Sequence, residues 1–114
     1  MRLPIHEYDD APDPQSIYGI SKSVSERLGF LYNDTYGLDF VVLRFANVFG
    51  PRQGTTGEGG VVSLFLQAAI AGEKLKIYGD GEQTRDFVYV KDVADAIVTA
   101  AEREFIQDLV SNVS

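Results

Sequence analysis

Apolar and polar residues follow two different periods along this chain, and each change of period marks an element. From Ile17 onward the apolar positions Ile20, Val24, Leu28 and Leu31 recur every three or four residues, which puts them on one face of a helix. Ser16 offers a side-chain oxygen at the start and Gly37 a left-handed stop, so the spacing predicts a helix from Ser16 to about Tyr36. Residues 39–46, DFVVLRFA, are a nearly unbroken apolar run rich in Phe and Val, which predicts a strand buried on both faces, as in a parallel sheet. Gly50-Pro51 ends it, and a polar, glycine-rich loop runs to Gly60. A second helix is expected from Val61 to Ala71, with Val61, Leu64, Phe65 and Ala68 inward and Gly72 at its end.

Leu75 to Tyr78 reads as a short strand, Asp80-Gly81 as a turn, and Thr84 to Val90 as a second extended run. Asp92 is placed to cap a third helix whose inward residues would be Val93, Ile97, Ala100 and Ala101. From Phe105 the pattern is open to more helix or a frayed end. Residues 1–15 carry Pro4, Pro12 and Pro14 among Glu7, Asp9, Asp10 and Asp13, an extended arm that needs other surface to lie on.

This order of elements points to α/β architecture. An inner parallel strand at 39–46 needs parallel neighbours, and the chain offers few. Residues 1–114 therefore read as one partial domain, a piece of something larger.

Composition narrows the partners. With 114 residues, 10 basic and 17 acidic side chains and a net charge of −7, the chain fits one small domain and argues against nucleic acid or an anionic membrane surface as partner. The lack of cysteine excludes disulfides, thiolate metal sites and cysteine nucleophiles. A single histidine, His6, leaves no Ser/His/Asp or two-histidine metal set, and no metal site is expected. His6 itself is expected to be solvated on the arm. The first ten residues lack the apolar core of a signal peptide, and the stretch 61–72 is too short to span a bilayer, so the expectation is a soluble cytoplasmic domain.

Tyr18 and Lys22 in YGISK lie four apart, one helical turn from each other. An ammonium at that range favours the phenolate, and a phenol so tuned exchanges protons with a substrate hydroxyl near neutral pH. The same spacing also suits a surface pair that only supports the helix. Gly57-Glu58-Gly59-Gly60-Val61 opens a helix with free amides that suit a phosphate, or is simply a loop. No G-x-G-x-x-G follows a strand anywhere in the sequence. Arg85, between a glycine turn and an aromatic strand, suits either a forked phosphate contact or an ion pair with Asp86 or Asp92. Tyr78 suits stacking on a flat ring or rim packing, and Asn47 suits a ligand contact at a strand end or a turn. Arg44, inside an apolar run, needs a partner if buried.

YGISKSVSE, LRFANVFGPRQ, GEGGVVSLFLQAAIAGE and IYGDGEQTRDFVYVKDVADA, in this order, resemble the extended short-chain dehydrogenase/reductases. Within them the similarity is to the NAD-dependent epimerase/dehydratase family, UDP-glucose 4-epimerase-like, over roughly residues 3–104. The resemblance implies a partial Rossmann-type, doubly wound fold, a middle-to-C-terminal fragment lacking the N-terminal NAD-binding strands but holding part of the substrate-binding region. It implies Tyr18 as catalytic acid/base, and Lys22 as the residue that holds the nicotinamide ribose and lowers the tyrosine pKa. Asn47 and the backbone at Gly60, Val61 and Val62 would meet the sugar nucleotide, Tyr78 would lie along its base, and Arg85 would bind its diphosphate. NAD would be the cofactor, at a site incomplete in this chain, and a UDP-sugar the substrate. Hydride would leave the sugar's fourth carbon and return to its other face. Related dehydratases and decarboxylases share the Tyr/Lys pair, and a non-catalytic binding or interaction module is the alternative. A homodimer through the Tyr18/Lys22 helix is implied as well.

Overall fold

The computed structural model describes residues 6–7, 13–54, 60–103 and 110–114. Its elements run α1 (Ile17–Tyr36), β1 (Val42–Phe45), β2 (Asn47–Phe49), α2 (Val61–Ala71), β3 (Phe87–Tyr89), α3 (Val90–Glu102) and β4 (Val110–Val113). The architecture is mixed α/β, with two two-stranded sheets pairing β1 with β4 and β2 with β3. The chain divides into two compact units, Met1–Arg44 with Arg103–Asn112, and Phe45–Glu102 with Val113–Ser114.

In the first unit α1 starts where the sequence placed it. Ser16 adopts an extended conformation and its Oγ accepts from the Gly19 amide at 3.0 Å. Gly37, at φ 66°, turns left-handed and donates its N–H to the Asn33 carbonyl. The positions of α1 that are half-buried are Gly19, Ser23, Glu26, Gly29, Phe30 and Asn33, a face of small and polar residues but for Phe30. Phe40 explains why that face is the packed one. Its ring lies where a Cβ on Gly29 would stand and meets Phe30 edge to face at 5.7 Å. The apolar stripe Ile17, Ile20, Val24, Leu28 and Leu31 lies off that face and is uncovered, at least 48% exposed at every position. Arg44 of β1 finds the partner its setting requires: Nε and Nη2 donate to the two carboxylate oxygens of Glu26 at 2.9 and 2.7 Å, and Nη1 to the Glu7 carbonyl at 3.0 Å. Val42 and Val110 are this unit's buried side chains among the described residues.

In the second unit β2 and β3 are parallel, with Asn47 opposite Phe87 and Phe49 opposite Tyr89. α3 packs on both strands, and Val88 and Val93 are the buried side chains among the described residues. Phe49 lies 6.2 Å from Phe87, edge to face, and 5.6 Å from Tyr89. α2 ends at Gly72, left-handed at φ 69°, as its sequence predicts.

Several expectations are corrected. The strand expected over 39–46 begins only at Val42, and β2 follows one residue beyond it; Val42 is its one buried position, because two-stranded sheets do not cover both faces. Leu75–Tyr78 forms no strand: among the described residues no ladder partner faces it, and an extended pattern without one is loop. The turn after it is real, with Gly79 and Gly81 at φ 79° and 83°. α3 begins at Val90, so Asp92 lies in its first turn rather than at its cap, where its charge still complements the helix dipole. Along α3, Val93 is buried while Ile97 is 48% exposed and Ala101 is exposed. The end of the chain adds a strand, β4, where helix or fraying was expected. Pro4, Pro12, Asp9 and Asp10 of the arm, Gly57-Glu58-Gly59 of the loop and residues 105–109 lie outside the described residues. Among the described residues no helix is long and apolar enough to cross a membrane.

Candidate functional site

The residues singled out by sequence fall into the two units. In the first unit, Tyr18 and Lys22 both sit on the exposed surface of α1, Tyr18 at 66% exposure. The helical turn between them brings the Lys22 ammonium to 5.3 Å from the centre of the Tyr18 ring, a cation over an aromatic face. The turn is held by its own hydroxyls: Ser21 Oγ donates to the Tyr18 carbonyl at 2.7 Å and Ser25 Oγ to the Ser21 carbonyl at 3.0 Å. Glu26, two turns along, anchors the helix to Arg44. The pair therefore presents a phenol and an ammonium together on a helix fixed at both its cap and its middle.

In the second unit an open cavity of about 790 Å³ lies between the start of α2 and the segment from Lys74 to Phe87. Val61, Val62, Leu64, Phe65 and Ala68 form its apolar wall. Lys74, Lys76 and Arg85 line it as well, and among the described residues no carboxylate does, although the chain carries 17 acidic residues. The charge that the described residues bring to the cavity is thus opposite to that of the chain. Tyr78, 70% exposed, presents its ring there with the Lys76 ammonium 4.9 Å from the ring centre.

Local hydrogen bonds shape this wall. Asp80 Oδ1 accepts from the Glu82 amide at 3.1 Å, an Asx turn that folds the glycine-rich corner, and Gln83 Nε2 donates to the Tyr78 carbonyl at 3.4 Å. Arg85 Nη1 donates to the neighbouring Thr84 carbonyl at 2.8 Å. Neither Asp86 nor Asp92 pairs with it among the described residues. Asn47 spends both its backbone N–H and its Nδ2 on the Asp86 carbonyl, each at 2.9 Å, and so holds the backbone next to Arg85. Gly60 caps α2 against Gln53, whose amide fills the space a Cβ would need and donates from Nε2 to the Val48 carbonyl at 3.1 Å. The first turn is closed by Ser63 Oγ, which donates to the Gly60 carbonyl at 2.9 Å.

The structure thus gathers Val61, Val62, Tyr78 and Arg85 around one cavity, with Gly60 at the start of its helical wall. Asn47 stands behind that wall as a brace. Sequence reasoning passed over Lys74, Lys76 and Gln83, whose only signal was position beside the glycine turn. It also passed over Glu26, which four-residue spacing does not link to a strand eighteen residues away.

The model of the NAD dependent epimerase/dehydratase family matches residues 2–112. The UDP-glucose 4-epimerase of Mycolicibacterium smegmatis is 46% identical over 93 residues, 81% of this chain and 30% of that protein. The structure of UDP-N-acetylglucosamine 4-epimerase from Methanobrevibacter ruminantium, in complex with UDP-N-acetylmuramic acid, superposes with a TM-score of 0.90 at 41% identity, over 98% of this chain and 36% of that one. That of UDP-glucuronic acid 4-epimerase from Bacillus cereus, in complex with UDP-glucuronic acid and NAD, gives 0.85 at 31% identity over 99% and 35%. UDP-sugar decarboxylases and a dTDP-glucose 4,6-dehydratase are also among the relatives. The chain spans between a fifth and about a third of the length of these relatives, and its α/β arrangement is that part of their Rossmann-type fold.

Proposed function

The chain belongs to the NAD-dependent epimerase/dehydratase family, and from that premise we propose that it is the Tyr/Lys-bearing, nucleotide-holding part of a UDP-sugar 4-epimerase. The observation that carries this reading is the cavity of the second unit, where three cations and an exposed aromatic ring meet an apolar wall, with no carboxylate among the described residues that line it. A sugar nucleotide has the matching parts: a diphosphate for Arg85 and a planar base for the Tyr78 ring. The backbone at Gly60, Val61 and Val62 is proposed to meet the same ligand, and Asn47 to serve it by bracing Asp86.

Tyr18 is proposed as the group that exchanges a proton with the sugar hydroxyl. Lys22 would hold the nicotinamide ribose with its ammonium. Exposed hydroxyl and ammonium donors on one helix surface suit a ribose diol, so the pair fits that end of NAD; the described residues offer no counterpart for its pyrophosphate and adenosine. NAD, when bound, supplies the acceptor and donor for hydride. Residues 1–114 would then be one partial domain of the family.

The test is an NMR-monitored titration of the chain with UDP-glucose, beside an NADH fluorescence titration and an assay for conversion to UDP-galactose. Shifts confined to residues around Tyr78, Gln83 and Arg85, with no saturable NADH binding and no turnover, are expected. Shifts scattered elsewhere would remove the cavity from the reading, and turnover would show that the NAD site is complete.

A second reading, an interaction module, is favoured by the uncovered stripe on α1. A homodimer through that helix would bury Ile20, Val24, Leu28 and Leu31. Light scattering would then report a dimer that Leu28→Glu returns to monomer, and a wild-type monomer at high concentration would sink it.

A further inference from the structure

The proposed function counts Lys76 only among the cations of the cavity, yet its ammonium also lies over the Tyr78 ring. Tyr78 is 70% exposed, and its ring makes no aromatic contact among the described residues; only its backbone carbonyl is held, by Gln83 at 3.4 Å. A ring this exposed is otherwise free to sample several rotamers. Lys76, two residues earlier, places its ammonium 4.9 Å from the ring centre, within the range where a cation is drawn to the aromatic face. Both residues line the cavity. One face of the ring is thereby occupied and the other is left for a second planar group. Lys74 and Arg85 remain as separate cations in the same cavity.

We infer that Lys76 is a positioning residue for the bound base, acting through the Tyr78 ring rather than on the phosphates. The inference rests on the sugar-nucleotide reading and gives a distinct role to a side chain that reading counts only as one of three cations. By holding the ring in one orientation before the ligand arrives, Lys76 removes an ordering cost that binding would otherwise meet. Its contribution therefore follows the base, whether or not phosphate is attached.

Three ligands separate the possibilities: UDP, uridine and inorganic pyrophosphate, each titrated by NMR into the chain and into Lys76→Met and Lys76→Arg. Lys76 is exposed, so the variants are expected to keep the dispersed spectrum of the parent. Lys76→Met is expected to weaken UDP and uridine alike, by about two- to fivefold as for an exposed cation–π contact, and to leave pyrophosphate unchanged. Lys76→Arg should restore both, since a guanidinium also stacks on an aromatic face. In the ligand-free chain, the ε-methylene protons of Lys76 should be shifted by the ring current and return to ordinary values in Tyr78→Leu. Weakening of UDP and pyrophosphate without uridine would overturn the inference in favour of a direct phosphate contact. No change with any ligand would overturn it outright. Failure of the parent chain to bind any of the three would bring down the nucleotide reading itself, and this inference with it.

Discussion

Replacing Glu26 with alanine is expected to loosen α1 from β1 and so disturb the helix that carries Tyr18 and Lys22. The Glu26 carboxylate accepts two charge-assisted hydrogen bonds from Arg44, at 2.9 and 2.7 Å, in a forked geometry. Hydrogen bonds to charged groups contribute about 1.5–3 kcal/mol when protected, whereas fully exposed ion pairs contribute about 0.2–1 kcal/mol. The two side chains are 31% and 21% exposed, between these limits, so water recovers part of the loss. A cost of about 1.5 kcal/mol follows, close to a tenfold drop in the folding equilibrium. With a urea m-value of about 1.5 kcal/mol/M, the denaturation midpoint should fall by about 1 M. Arg44→Ala should cost more, because the Glu7 carbonyl also loses its donor. The double mutant should cost less than the sum of the two, by about 1 kcal/mol of coupling. A midpoint shift below about 0.2 M for Glu26→Ala, or strict additivity in the cycle, would refute the argument that this pair fixes the helix.

Gly29→Val should destabilise the chain by about 1–3 kcal/mol in thermal or urea unfolding, because the Phe40 ring occupies the space the new side chain needs. Asn47→Ala removes the side-chain bond to the Asp86 carbonyl and should cost about 1 kcal/mol, with UDP binding weakened through the neighbouring Arg85. Arg85→Ala should weaken UDP about tenfold in the same titration while leaving uridine nearly unchanged. Glu7 gives a pH dependence. The Asn112 amide donates to its carboxylate at 2.8 Å, and this bond, with its own backbone amide and then the nearby His6 and Arg44 charges, holds its pKa below the ordinary 4.5. Since the folded value lies below the unfolded one, its stabilisation is present above about pH 4.5 and is lost as pH falls through the folded value. Glu7→Gln should therefore lower stability at neutral pH and flatten the acid limb of a urea-midpoint profile.

Local chemistry was legible in the residue order wherever a few neighbouring residues determine the outcome. The Ser16 cap, the Gly37 and Gly72 stops and the turn at Gly79–Gly81 follow from side-chain oxygens and glycine's access to positive φ, which need no distant partner. The Tyr18/Lys22 pairing was legible for the same reason, since helical spacing brings the two together. Strand ends were not, because a strand exists only against a partner: Leu75–Tyr78 has strand composition and no ladder, while Val110–Val113, with two polar residues, pairs with β1. The packed side of α1 was likewise set in three dimensions. Its apolar stripe was plain in the sequence, but Phe40 against Gly29 and Arg44 against Glu26 bind the opposite, small and polar face. The same holds for the cavity, where Lys74, Lys76 and Arg85 converge from separate positions to make a cationic site in an acidic chain. Periodicity reads what adjacent residues impose on one another; convergence of distant side chains depends on packing, which no single stretch of sequence contains.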